Sequence, residues 1–450
     1  MSGIFKAYDV RGIYPDELNE EIVRSVGLTF RETLDEQDRA QGNTVVVSRD
    51  MRSHSGPLAE ALIDGLTAGG LDVLDIGLAT TPMNYFAVGH LGTAAGIQVT
   101  ASHNPARYNG LKFSRSDARP FTGERGIPYL ERLVTAGGGE PASRAGAVST
   151  GAVFDEYSSK LLSFVEPSAG RRLRVVVDAA NGMGCLYEPI LRRLDIDLVP
   201  LYFELDGTFP NHEANPLKLD NLRDLTARIR DSGADLGVAF DGDADRAAFV
   251  DETGEPVGSD LMTGLIAGEL LRHEPGGVVP YDLRSSRAVP EYVREQGGVP
   301  VRERVGHTFI KATLRQRHGI FGGELAGHYY FRDTYHADSS LLAVIEVLNL
   351  LGRSGRPMSE LVAPLHRYAK SPEINFEVED KSGKIEELAC RYAEGEIDYL
   401  DGITVQYPDW WFNVRPSNTE PYLRLVLEAA TPDQLAGKRA ELESLLGTPV

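Results

Sequence analysis

Cysteine is almost missing from this chain: Cys185 and Cys390 are the two among 450 residues. Two cysteines cannot form a disulfide framework, so stability must come from packing, and a reducing compartment is expected. Long apolar runs are also lacking. No stretch of about 18 consecutive apolar residues occurs, and Met1–Asp9 shows no basic start followed by an apolar segment, so a cytoplasmic protein with no membrane partner is expected. Positive charge is the third shortage. Lys and Arg total 46 against 66 Asp and Glu, a formal charge of −20. The summed field repels polyanions, which excludes a non-specific nucleic-acid footprint, and an anionic small substrate would need basic residues gathered locally.

What is present describes an ordinary globular chain. Hydrophobic residues at 42% and charged residues at 25% argue against disorder. At 450 residues the chain exceeds one hydrophobic core, so several domains with clefts between them are expected. Strand-like apolar runs alternate with helical patterns, the rhythm of α/β units: Thr44–Ser48, helical Pro57–Ala68, then Asp72–Ile76. It restarts at Arg174–Asp178, with helical Leu186–Leu194 and a strand ending at Phe240, and again through helical Leu261–Arg272, Gly276–Pro280 and helical Ser339–Leu351. From about residue 371 the pattern changes to alternating Ile374–Val378 and helical Lys384–Ala393, a smaller α+β unit. Gly- and Pro-containing breaks place the domains at 1–150, 151–255, 256–370 and 371–450. The first three read as versions of one plan.

Four short segments carry chemistry. In Thr100-Ala-Ser-His-Asn-Pro105, Pro105 keeps Asn104 out of helix, so Ser102 and His103 sit on a constrained loop at a strand end, where a hydroxyl can carry a phosphoryl group. Asp241-Gly-Asp-Ala-Asp-Arg246 places three carboxylates on a tight loop, a donor set suited to a hard divalent cation such as Mg²⁺. An EF-hand is disfavoured because Arg246 stands where that loop needs Gly, and an aspartyl-phosphate enzyme would leave the serine loop without a role. Gly322-Gly-Glu-Leu-Ala-Gly-His328 offers Glu324 to paired sugar hydroxyls, with His307 and Lys311 upstream. Arg415-Pro-Ser-Asn-Thr-Glu-Pro421 packs a guanidinium, hydroxyls and backbone N–H groups suited to a phosphate dianion. Each loop taken alone also has a structural reading, as a turn or helix cap. Arg11, Arg49, Arg52, Lys112 and Arg284 are further cations able to supply a local positive field, or else plain surface charges.

In this order and spacing, the four segments resemble those of the α-D-phosphohexomutase superfamily over nearly the whole chain, and more narrowly its phosphomannomutase/phosphoglucomutase branch. The resemblance implies three similar mixed α/β-sheet domains and a C-terminal α+β domain of the TATA-binding-protein-like class around a central cleft. It implies that Ser102 is the phosphoserine and a metal ligand together with Asp241, Asp243 and Asp245. Arg11, His103, Lys112 and Arg246 would line the phosphoryl-transfer site. Arg284, His307, Glu324 and His328 would face the sugar, and Arg415, Ser417, Asn418 and Thr419 would hold the phosphate that is not reacting. The implied activity is interconversion of mannose 1-phosphate and mannose 6-phosphate, with Mg²⁺ as cofactor and a hexose 1,6-bisphosphate as intermediate and activator. Hexose phosphates are the expected partners. The alternatives are glucose or glucosamine phosphates as substrate or, from another class, a non-catalytic sugar-phosphate sensor, which would be expected to have lost Ser102 or an aspartate. Two departures bear on this: Ala326 stands where the family usually carries Ser in the sugar loop, and Arg284 where some members have Lys.

Overall fold

The computed structural model describes residues 3–167, 171–417 and 422–450. They form four sheets, three of them built to one plan. In the first sheet the spatial order is Asp9–Ile13, Tyr108–Arg115, Ala95–Val99, Thr44–Arg49, Asp72–Leu78, Val148–Thr150. Thr44–Arg49 runs parallel to both Ala95–Val99 and Asp72–Leu78, while Tyr108–Arg115 returns antiparallel to Ala95–Val99. The β-branched run Val45–Val47 is buried throughout, as a strand covered on both faces requires.

The second sheet repeats this arrangement. Leu173–Asp178 is parallel to Ile196–Leu201 and Leu236–Phe240, and Ala247–Asp251 returns antiparallel to Leu236–Phe240. In the third, Val278–Asp282 is parallel to Val299–Glu303 and Phe321–Gly323, and Tyr329–Phe331 returns antiparallel. Each of the three chemistry-bearing loops of these domains therefore occupies the same place, between a parallel strand and its antiparallel neighbour. The sequence expectation of a shared plan is met by topology, although the three sequences are not visibly repeats.

A second feature recurs at the end of the first parallel strand of each sheet. An aspartate there accepts a hydrogen bond from the backbone N–H two residues on: Arg52 N to Asp50 Oδ1 at 3.0 Å, Ala180 N to Asp178 Oδ1 at 2.8 Å, and Arg284 N to Asp282 Oδ1 at 2.9 Å. These Asx turns redirect the chain out of the sheet toward the loop side.

The first three domains share one continuous core. Helix Thr81–Leu91 begins where the Thr80 hydroxyl accepts from Met83 N at 3.2 Å, carries Pro82 in its first turn, and ends at Gly92 with φ 61°. Its Met83 and Phe86 pack with Tyr157 and Tyr187 of the second domain and with the helix Ser340–Ser354 of the third, within a single buried cluster. The fourth domain has a core of its own, the antiparallel sheet centred on Trp410–Pro416 and Tyr422–Ala429, packed with Leu388 of helix Lys381–Arg391 and with Leu442 and Leu446 of helix Pro432–Leu446. It meets the third domain through polar contacts such as Arg287 N to Glu428 Oε1 at 3.0 Å. The helix expected over Leu186–Leu194 is shorter: a 3₁₀ turn at Met183–Tyr187 leads into one helical turn, Glu188–Leu191. Pro189 lacks the N–H that would continue an α ladder, and the next strand opens at Ile196.

Candidate active site

Ser102 lies just beyond strand Ala95–Val99 with φ +52°, a left-handed conformation that costs a non-glycine residue about 1 kcal/mol or more. One side chain offsets that cost. Arg52, buried and running back from the neighbouring strand end, donates to four carbonyls of the loop: Ser102 O at 2.9 Å, Asn104 O at 2.7 Å, Pro105 O at 2.8 Å and Tyr108 O at 3.0 Å. Its remaining N–H donates to Asp50 Oδ2 at 3.2 Å. The guanidinium is thus spent on the backbone and lends little of the free positive field that the sequence suggested for it. Ser102 Oγ is held 2.8 Å from Asp241 Oδ2 and 3.3 Å from His103 Nδ1. Burial, together with Arg246, Arg11 and Lys112, keeps His103 neutral, its pKa well below the usual histidine value.

The acidic loop closes on this serine. Asp241, Asp243 and Asp245 are all buried, and one oxygen from each lies within 4.8 Å of the others. Gly242 is required by contact, since a Cβ there would sit 2.3 Å from the Ser102 carbonyl oxygen. Thr81 Oγ1 donates to Asp243 Oδ2 at 2.5 Å, and Lys112 Nζ reaches Asp243 at 2.6 Å and Asp245 at 2.5 Å. Arg246 Nε stands 3.8 Å from Asp241 and 3.9 Å from Asp245. Burial opposes the charge on Lys112, but the adjacent carboxylates outweigh it and hold the ammonium protonated. Burial and the neighbouring Asp243 and Asp245 push Asp241 well above the carboxylate range, whereas Lys112 overcomes burial and holds Asp243 below it. Asp243 Oδ1 and Asp245 Oδ1 are buried without a hydrogen-bond partner among the described residues. Three clustered carboxylates with spare inward oxygens fit a divalent cation, which would supply the missing partners and relieve the repulsion at Asp241.

The third domain is tied directly to this loop. Arg246 and His328 form an antiparallel bridge, and Arg246 Nε donates to His328 Nε2 at 2.9 Å. The other ring nitrogen, His328 Nδ1, lies 2.9 Å from Asp338 Oδ1, and Asp338 also pairs with the buried Lys311 at 2.5 Å. Glu324 is fixed by Gly306 N at 2.9 Å and by the Tyr330 hydroxyl. His307, at the start of helix His307–Gln316, packs edge-on against Tyr8 of the first domain and is kept neutral by burial and Lys311. Arg11 donates to Asn104 Oδ1 at 2.5 Å and pairs with Asp9, placing it beside the serine loop.

The fourth domain contributes a cluster that sequence inspection overlooked in part. Arg284 Nη1, Arg415 Nη2 and Arg424 Nη1 all donate to Glu373, at 3.1, 3.0 and 3.0 Å. Three guanidiniums converging on one carboxylate make a site for a tetrahedral anion, and they overcome burial to keep Glu373 ionised. Arg284 is also held by Asp282 at 3.0 Å. Ser417 follows the strand Trp410–Pro416, its N–H donating to Tyr422 O at 2.9 Å. Asn418 and Thr419 lie outside the described residues. Thr81, Lys311, Asp338, Glu373 and Arg424 thus join a site in which the sequence marked Lys311 alone of the five. Asp338 and Glu373 carried no local signal, because their partners are remote in the chain.

A serine hydroxyl facing three metal-competent carboxylates, with an arginine cluster on another domain, is an arrangement suited to moving phosphoryl groups on a small phosphorylated substrate. The comparisons with known proteins agree. The chain matches, in order, the phosphoglucomutase/phosphomannomutase alpha/beta/alpha domain I at residues 2–135, domain II at 155–254, domain III at 258–368 and the C-terminal domain at 373–445. It is 40% identical over 451 aligned positions to the phosphohexose mutases of Xanthomonas campestris pv. campestris strain B100, covering 98% of each chain. It is 37% identical to a phosphomannomutase of Escherichia coli, covering 97% of each. A crystal structure of a phosphoglucomutase/phosphomannomutase family protein from Burkholderia thailandensis superposes with TM-score 0.90 at 34% identity, covering 100% of this chain and 99% of that one. The chain belongs to the phosphoglucomutase/phosphomannomutase family, and it is an intramolecular phosphotransferase of the phosphohexomutase type.

Proposed function

We propose that the chain interconverts mannose 1-phosphate and mannose 6-phosphate through a phosphorylated Ser102 and a hexose 1,6-bisphosphate, with glucose phosphates as the competing substrates. The observation that carries this reading is Ser102 Oγ, held 2.8 Å from Asp241 on a loop clamped by Arg52. In the first half-reaction the P–Oγ bond of phosphoserine breaks and a new P–O bond forms to the free sugar hydroxyl, whose proton passes to a base of the cleft. His103 would exchange a proton at Ser102 Oγ, a reading supported by its Nδ1 at 3.3 Å and its neutral ring. Lys112, Arg246 and Arg11 surround the transferring group with positive charge that costs no reorganisation at the moment of transfer. Asp241, Asp243 and Asp245, with Ser102, would hold a magnesium ion, which when bound supplies Lewis-acid polarisation of the phosphoryl oxygens.

Arg284, Arg415 and Arg424 would hold the phosphate that is not reacting, displacing Glu373 from part of its contacts, with Ser417, Asn418 and Thr419 completing the grip. Glu324, braced by Gly306 and Tyr330, would accept from adjacent sugar hydroxyls, with His307 and His328 beside it. After the bisphosphate turns end for end, the same residues perform the reverse transfer. Exchange of label from a hexose phosphate into the protein tests the reading. Ser102→Ala should abolish labelling and lower turnover at least 10³-fold, and full activity in that variant would refute it. Relative kcat/KM for mannose, glucose and glucosamine 1-phosphates assigns the sugar.

A further inference from the structure

At the seam between the third and fourth domains lies a cavity of ≈ 450 Å³. Its size falls within the roughly 300–1,000 Å³ typical of small-molecule sites. The third domain supplies Tyr281, Ser285, Arg287, Arg294 and Arg302 to its wall, and the fourth supplies Trp411 among others. None of Arg284, Glu373, Arg415 and Arg424, which form the catalytic grip, lines this cavity. Asp282 and Arg284 bond to each other and stay off its wall, whereas their neighbours Tyr281, Leu283 and Ser285 line it.

The wall's charge is unusual for a chain that carries −20 overall. Three guanidiniums line it. Arg302 is neutralised by Asp398 at 2.6 Å, but Arg287 spends its guanidinium on the carbonyls of Tyr407 and Pro408, at 2.7 and 3.3 Å. The Arg294 guanidinium makes no hydrogen bond or ion pair among the described residues. The carboxylate on the wall, Glu291, is already engaged by Arg367 at 3.1 Å and by the Tyr368 hydroxyl at 2.8 Å. Two positive charges are therefore left uncompensated. Two buried polar atoms on the same wall, Ser285 Oγ and Arg302 Nε, also have no partner among the described residues. Buried donors without acceptors are costly, and gathering like charges adds to that cost. An anion of two negative charges answers both deficits.

We propose that this cavity is a second ligand site, taking a small metabolite that bears a dianionic phosphate group, and that its occupancy sets the relation of the fourth domain to the third. The seam suits that role. The fourth domain has a separate core, so a ligand bridging Arg294 to the Trp411 side adds a tie between the two. Across the same seam, Arg284 and Arg415 share Glu373, so a shift of the fourth domain changes the catalytic anion grip. The inference does not rest on the sugar assigned above.

Equilibrium dialysis of the full chain with radiolabelled inorganic pyrophosphate, in saturating glucose 1-phosphate to fill the catalytic cleft, tests it. One saturable site per chain is expected. Arg294→Glu, an exposed change without contacts to lose, should weaken that binding at least tenfold and leave kcat/KM without pyrophosphate within twofold of wild type. Ser285→Ala should weaken it about threefold. Trp410 and Trp411 are the protein's two tryptophans, so the same titration followed by fluorescence should give the same dissociation constant. Absence of pyrophosphate binding once the sugar phosphate is present, or Arg294→Glu binding it as wild type does, overturns the proposal. A chain inert toward hexose phosphates that still shows the Arg294-dependent site would refute the mutase reading alone.

Discussion

Arg52→Lys isolates the support under the nucleophile. The native guanidinium makes four bonds to loop carbonyls at 2.7–3.0 Å, and a fifth to Asp50. An ammonium has three donors on a shorter reach, so at least two of these five bonds must go, leaving buried acceptors unmet. Each unsatisfied buried carbonyl costs about 1–3 kcal/mol, and charge is retained, so a loss of about 2–6 kcal/mol in folding stability is expected. Part of that loss falls on Ser102, whose left-handed backbone is held by the bond from Arg52 to its carbonyl. The nucleophile should then wander from Asp241, while the sugar and distal phosphate contacts of the third and fourth domains stay in place. The predicted signature is a kcat reduced at least tenfold with KM within about threefold, alongside a lower urea midpoint at unchanged slope. Arg52→Met, which strands the buried Asp50 carboxylate as well, should be the more severe of the two. Wild-type kcat and wild-type stability together in Arg52→Lys would refute the idea that this side chain holds the loop.

Two further outcomes follow from the buried charges. Asp243→Asn should weaken magnesium binding at least 10²-fold by calorimetry, and chelation of the wild-type enzyme should suppress turnover until magnesium is restored; activity that survives exhaustive chelation would remove the cation from the site. Glu346, buried between the second and third domains near Glu269 and Glu166, has its carboxyl pushed up to about 7 by burial. Because the folded value lies above the unfolded one, the protonated state's stability is complete below about pH 4.5 and is lost as pH rises through 7. Glu346→Gln should therefore be more stable than wild type by about 2–4 kcal/mol at pH 8, and should match it near pH 4.5, in denaturant melts at both values.

Much of this was readable from local pattern. A run such as Val45–Val47 reports a buried strand because each residue's own side chain carries the signal, and Asp241–Arg246 announces a donor set able to hold a cation because its carboxylates are nearly adjacent. What could not be read is pairing at a distance. Thr81 meets Asp243 across 162 residues, and Arg284 meets Glu373 across 89. Lone Thr and Glu residues have nothing beside them to mark such a role. Arg52 was legible as a cation but not as a buried one, since its acceptors are backbone carbonyls, which every residue offers. The overlong helix at Leu186–Leu194 shows the reverse case, where periodicity was present and Pro189 with the nearby strand cut it short.

The Asx turn at the end of the first parallel strand occurs three times, and the residue two places after each aspartate has met three different fates. Arg52 turned inward to brace the Ser102 loop, Ala180 keeps only a methyl group, and Arg284 reaches Glu373 of the fourth domain. One bend thus serves as scaffold, spacer and domain tie in the same molecule. The chain carries its own controls: transplanting arginine to position 180, or alanine to position 284, asks what that position does when its neighbours change and its backbone does not.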